Sequence, residues 1–270
     1  MLFPPGPEGR HASFSRKEEA QILAATLRLG QLVVGWFVSR PNRFLGIVEL
    51  PGSESSVGTR AQAHIKDSGR LRELLFPGNL VALKRLGNSS HRKTSWDLIL
   101  ARSGSIWVSL DPSASSCLIQ TALEQGTLPE FRGYTSVQRE TRYGESRLDF
   151  FLGGERVMPA FVEVKSVTLV RGGLALFPDA PTLRGSKHLQ ELQRARREGY
   201  GAFLVFVVQR EDALGVAPNV ETDGQFTRAL VAAARAGVRI LAYRCRVSLE
   251  QIALERSPVP VVIPGEDSLN

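Results

Sequence analysis

SRLDFFLGGERVMPAFVEVKSV, residues 146–167, holds two strand-like runs, SRLDFFL and AFVEVKSV, joined by a short connection that contains Gly153 and Gly154. Side chains alternate across a strand, so Phe161, Glu163, Lys165 and Val167 share one side of the second run while Val162, Val164 and Ser166 share the other. A hairpin through the two glycines sets Asp149 of the first run beside Glu163. Two carboxylates and an ammonium converging in this way suit Mg²⁺ or Mn²⁺, hard cations that take one or two protein carboxylates plus substrate phosphate. In that chemistry Asp149 and Glu163 hold the metal, and Lys165 positions a water and stabilises developing charge. The plain alternative is a solvated strand face whose Glu163–Lys165 ion pair is worth ~0–1 kcal/mol.

Outward from this hairpin the second half of the chain alternates strands and helices. A helix is expected over Ala114–Gln125, strands near Thr135–Arg142, Arg147–Leu152, Ala160–Val170, Ala202–Gln209 and Arg239–Arg246, and helices over Ser186–Glu198 and Gln225–Ala236. That grammar is an α/β unit with a mixed sheet. Before it, QLVVGWFV, FLGIVEL, TRAQAHI, NLVALKRL, SWDLILA and SIWVSL are short strands broken by turns at Pro51-Gly52 and Phe76–Asn79, the spacing of a small barrel or sandwich. Residues 1–30 are read as an extension with a helical stretch from Ser15 to Leu29, 31–110 as the first domain, 111–257 as the second, and 258–270, with Pro258, Pro260 and Pro264, as a fraying tail.

Composition narrows the function. With 270 residues, 43% hydrophobic and 23% charged, the chain can bury a sizeable core and is neither disordered nor collagenous. No apolar run reaches the roughly 18 residues of a membrane span. The N-terminus lacks a basic segment followed by an apolar stretch and a small-residue cleavage site, and only Cys117 and Cys245 are present, so a cytoplasmic protein is expected. The net charge is +7, and 28 of the 34 basic residues are arginine. Arginine's planar fork suits phosphate, which makes nucleic acid the first partner to test; codon bias is the alternative.

Candidate contacts follow. Arg40, Asn42 and Arg43 flank a turn between two strands beside Phe44, an arrangement that can track a phosphate backbone and stack a base. Lys66 and Arg70 extend that surface, against a reading in which they are simply solvated. Arg184, Lys187 and His188, near Asp179 and at the start of a helix, combine backbone donors with basic side chains for a phosphate; a packed, capping His188 is the competing reading. The four histidines have no zinc spacing, and there is no G-x-S-x-G elbow, GxGxxG or Walker A loop.

The Asp, spacer, Glu-x-Lys pattern resembles the PD-(D/E)xK nuclease signature. More widely, RPNRF (40–44), AHIKDSGRLRELLFPG (63–78), RKTSW (92–96), YGESRLDF (143–150), FVEVKSVTL (161–169), FPDAPTLRGSKHLQEL (177–192), FVVQR (206–210) and AGVRILAY (236–243) resemble, in order, the sugar fermentation stimulation protein A family. The resemblance implies an N-terminal OB-like β-barrel, a PD-(D/E)xK nuclease-like mixed-sheet domain, a DNA-binding role, and Glu140 as a further carboxylate beside Asp149, Glu163 and Lys165. The chain departs from the family where Asp67-Ser68 stands in place of an Asn-Thr pair and at the Pro112–Ser116 junction; a negative charge at Asp67 weakens phosphate binding there. Three functions compete: a metal-dependent phosphodiesterase acting on DNA, a non-catalytic, sequence-independent DNA-binding regulator of sugar (maltose) metabolism genes, and a protein-interaction module. RNA as a substrate and a homo-oligomeric state stay open.

Overall fold

The computed structural model describes residues 22–52, 58–87 and 94–265. The first described element, β1 (Leu23–Arg28), is followed by six strands of one sheet: β2 (Val33–Asn42), β3 (Leu45–Leu50), β4 (Thr59–His64), β5 (Leu80–Arg85), β6 (Trp96–Ser103) and β7 (Ile106–Ser109). The order is β4-β3-β2-β5-β6-β7, and a parallel pairing of Ala63 with Trp96 and His64 with Asp97 joins β4 to β6. Five strands thereby close on themselves, which leaves that part of the sheet without an edge. Inward-facing Phe37, Val48, Leu83 and Leu98 fill the barrel together with Ile65, Leu71 and Leu74 from its loops. The expected OB-like barrel is present, and all six strands read from the turn-punctuated pattern form.

The second unit is built on a seven-stranded sheet. After helix α1 (Pro112–Glu124) come β8 (Ser136–Tyr143), β9 (Ser146–Gly153), β10 (Ala160–Val167), a small sheet of β11 (Val170–Arg171), β12 (Leu174–Phe177) and β14 (Gly215–Pro218), helices α2 (Leu183–Arg197) and α3 (Gly224–Arg235), and strands β13 (Gly201–Val208), β15 (Arg239–Val247) and β16 (Gln251–Pro258). The large sheet runs β1-β16-β15-β13-β10-β9-β8, with β10, β13 and β15 parallel and the outer strands antiparallel. Its central strand β13 reads as a continuous apolar run, AFLVFVV, because both faces are covered. Helix α1 packs Leu118, Ile119 and Ala122 on one face, and α2 and α3 pack Leu189, Leu192, Phe226 and Leu230 on the other. Each helix begins at a residue that can accept a backbone hydrogen bond: Asp111 from Ser113 N–H, Thr182 from Gly185 N–H and Asp223 from Phe226 N–H.

Two boundaries are corrected. Residues 23–28 are not the end of a helix in an extension; they form an edge strand of the second unit's sheet, antiparallel to β16 with Leu27 opposite Ile252. Pairing with a partner more than 220 residues away overrides the helical propensity of LAATLR. The earlier part of that expected helix, His11 and His91 lie outside the described residues. Pro258 is the last residue of β16, and the chain just beyond it is packed: Val259 and Val261 pack on the core, and Val262 N–H donates to the Val216 carbonyl, while residues 266–270 of the expected tail lie outside the described residues. Among the described residues no helix is long and apolar enough to cross a membrane.

Candidate active site

Strand β10 is central in the sheet, and its alternation sends Val162 and Val164 toward α1 while Glu163 and Lys165 face α2. Lys165 Nζ donates to Glu163 Oε1 at 2.5 Å, and His188 Nδ1 of α2 meets the same oxygen. Glu163 is only 3% exposed, and its other oxygen, Oε2, is buried without a hydrogen-bond partner among the described residues. Burial alone would raise the Glu163 carboxyl, but Lys165 and His188 outweigh it and hold it below the usual carboxylate range.

Asp149 reaches the cluster from β9. Its Oδ2 accepts the Val164 N–H at 2.7 Å, which pins the carboxyl to the neighbouring strand. Burial, reinforced by the charge of Glu163, lifts its pKa to about 6 against the opposing pull of the Val164 N–H, Lys165 and His188. A carboxyl raised by burial and by its neighbour, next to a buried oxygen with no donor, is a pair that a cation would neutralise and complete. By donor chemistry the residues fit a hard divalent ion.

Lys165 also lines a cleft of about 840 Å³ between the barrel and the mixed-sheet unit. Arg43, Arg70 and Arg72 line it from the barrel side and Arg184 from α2, with Asp67 and Asp179 as the acidic members. The unit is held to the barrel by polar ties. Arg210 donates to Ser103, the Gln209 carbonyl accepts the Ser109 N–H, and the Asp179 carboxylate comes so close to Gly69 that a Cβ there would lie 2.2 Å from its Oδ2.

The family model for the sugar fermentation stimulation protein RE domain matches residues 113–251, and that for the SfsA N-terminal OB domain matches 38–110. The sugar fermentation stimulation protein homolog of Moorella thermoacetica is 47% identical over 83% of this chain and 94% of its own length. The chain belongs to the sugar fermentation stimulation protein family. The Desulforamulus reducens homolog is 44% identical over 84% of this chain and 92% of its own length. A family member of known structure, the Pyrococcus furiosus protein in complex with Ca²⁺, superposes with a TM-score of 0.78 at 29% identity, covering 88% of this chain and 98% of that one.

Against this family frame, the residues singled out in the sequence separate into two groups. Asp149, Glu163, Lys165 and His188 come together. Glu140 does not join them: it is exposed, has a left-handed φ of 48° that interrupts the β8–β9 pairing, and pairs with Arg147 at 3.1 Å. Arg40, Arg43, Arg70 and Arg184 all line the cleft, but the guanidinium of Arg40 is spent on the protein itself, donating to the carbonyls of Arg43, Asp67, Gly69 and Arg70. Asn42 accepts from Phe44 N–H and shapes the turn. Lys66 is held between Asp97 and Asp111, at 3.5 and 2.6 Å, where it ties β4 to the start of α1. Lys187 pairs with Glu145 at 2.7 Å. Sequence reasoning missed Arg72, whose signal was its place two residues beyond Arg70. It also missed the contact of His188 with Glu163, which no local pattern encodes.

Proposed function

We propose that this protein is a metal-dependent phosphodiesterase acting on nucleic acid, with DNA as the first substrate, and that Asp149 and Glu163 hold the cation, Mg²⁺ or Mn²⁺. The observation that carries the reading is the buried, donor-free Oε2 of Glu163 beside the raised Asp149 carboxyl, next to a Lys that opens onto an arginine-lined cleft. Support comes also from the Pyrococcus furiosus relative, solved in complex with Ca²⁺, another cation that selects oxygen ligands.

When bound, such a cation supplies neutralisation of the phosphate charge and a water of lowered pKa. The chain's own residues do the rest. Arg43, Arg70 and Arg72 take the flanking phosphates, which positions the strand without reading its bases and leaves recognition independent of sequence. Lys165, already at the cleft wall, turns its ammonium to the reacting phosphate or the attacking water, where it stabilises charge that grows toward the transition state. A binder without turnover would gain nothing from two carboxylates set beside a phosphate path.

The test is incubation of metal-stripped protein with single- and double-stranded DNA and RNA, with and without Mg²⁺ or Mn²⁺. Cleavage that appears only with the cation and disappears in Asp149→Asn and Glu163→Gln is expected. Binding that leaves every substrate intact under all these conditions would move the reading to the non-catalytic regulator.

A further inference from the structure

We infer that His188 is a positioning residue: it holds Oε1 of Glu163 from the helix side, so that Oε2 stays presented for a cation while Lys165 is free to leave for the substrate. The inference rests on the metal-dependent reading above.

The argument begins with the hydrogen-bond inventory of one carboxylate. Glu163 has acceptor sites on both oxygens, yet both of its side-chain donors, Lys165 Nζ and His188 Nδ1, crowd onto Oε1 while Oε2 has none. Lys165 cannot be the lasting anchor. Its side chain lies at the cleft wall, and once its ammonium engages a phosphate or a water the contact with Glu163 is weakened or lost. Were Lys165 the sole donor, its departure would leave a carboxylate on a flexible stem free to rotate. His188 prevents this because it belongs to a different element and does not move with Lys165.

The imidazole is itself fixed. His188 is 3% exposed and lies on the buried stripe of α2 with Leu189, Leu192 and Ala195, one helical turn after Arg184. Arg184 Nε, always a donor, faces His188 Nε2 at 3.3 Å, so Nε2 is the acceptor and the hydrogen sits on Nδ1, aimed at Glu163. Lys165 Nζ, 3.4 Å from Nδ1, contributes nothing to holding the ring. With both nitrogens engaged and no place on the cleft wall, His188 does not reach the scissile phosphate. It acts through Glu163.

Isosteric amides separate this role from mere packing: the Asn side-chain nitrogen takes the place of Nδ1, the Gln nitrogen that of Nε2. Metal-stripped wild type, His188→Asn and His188→Gln are titrated with Mn²⁺ by calorimetry without nucleic acid, with thermal melts in parallel. His188→Asn should stay within about 3-fold of wild type, while His188→Gln should bind Mn²⁺ on the order of 10–100-fold more weakly, the usual cost of losing a hydrogen-bond partner behind a metal ligand. The Gln deficit should deepen in a Lys165→Ala background, where no donor remains on Oε1. Equal affinities in wild type and both variants, or equal losses in Asn and Gln that follow the melting temperature, would overturn the inference. A wild type that binds no Mn²⁺ would instead overturn the metal-dependent reading on which it stands. If His188→Gln fails to fold, Arg184→Ala, which keeps the imidazole but frees its tautomer, should weaken Mn²⁺ binding several-fold, and unchanged affinity there would overturn the inference.

Discussion

Asp67→Asn should make the metal-free protein more stable and its cleft a better phosphate site. Asp67 sits in the barrel loop that faces the mixed-sheet unit, and burial, followed by the opposing Gly69 N–H, then Asp179, Arg40 and Glu73, places its pKa at about 6 instead of the ordinary 3.8. Below pH 4 the carboxyl is protonated whether the chain is folded or not, and it costs nothing. Between pH 4 and 6 the unfolded chain gives up the proton while the folded one keeps it, so stability falls as the pH rises. Above pH 6 the full penalty, on the order of 3 kcal/mol, is in place. Asparagine removes the charge but keeps an oxygen for the Gly69 N–H, which now donates to Asp67 Oδ1 at 2.7 Å. The variant should therefore gain about 5–10 °C in melting temperature near pH 8, and almost nothing near pH 4. Scanning calorimetry across that range measures it. A gain of equal size at both ends of the range would refute the reasoning, since it would come from packing or the loop backbone and not from a desolvated charge. The same substitution removes a negative charge from the cleft wall and should tighten DNA binding several-fold at low salt, less at high salt.

Lys165→Ala should retain or improve Mn²⁺ affinity while turnover falls on the order of 10²-fold or more, because a cation is removed and not a ligand; Asp149→Asn should lose affinity and turnover together, as calorimetry and a cleavage assay on the same preparations will register. Replacing Arg43 and Arg70 by Ala should lower DNA affinity and flatten its logarithmic salt dependence by about 0.9 per lost phosphate contact on duplex, or about 0.7 on single strands; an unchanged slope would remove these arginines from the phosphate path.

The barrel was legible because its strands are short apolar runs bounded by turn residues: NLVALKRL and SWDLILA become β5 and β6 with little change. The Glu163–Lys165 juxtaposition was legible because i and i+2 on one strand share a face whatever the rest of the fold does. Asp149 required only a hairpin. What local pattern could not carry was any property set by distant partners. LAATLR becomes a strand only because β16 offers it an edge, and His188 meets Glu163 only because α2 lies across β10. The fate of each basic residue was hidden in the same way. Arg40 and Arg43 are near neighbours of like type and both line the cleft, yet Arg40 donates to four backbone carbonyls.

That division of cations bears on how the cleft works. Because β1 belongs to the second unit's sheet and α1 returns to it, the barrel is attached by two covalent connections, at residues 29–32 and 110–111, and not by one linker. Between them lie Lys66 on Asp111, Arg210 on Ser103 and the Asp179 carboxylate against Gly69. A hinge motion that opened the cleft would have to bend both connections and strip partners from part-buried charges, whose hydrogen bonds are worth ~1.5–3 kcal/mol each. The cleft is therefore held in shape before any ligand arrives, and the arginines left over from this stitching, Arg43, Arg70 and Arg72, are the ones that, on the proposed reading, would meet phosphates at fixed separations. On that reading, cations consumed in the tie set the spacing and cations outside it do the binding. An arginine count read from composition alone merges the two, which is why net charge pointed toward nucleic acid without saying which residues would touch it.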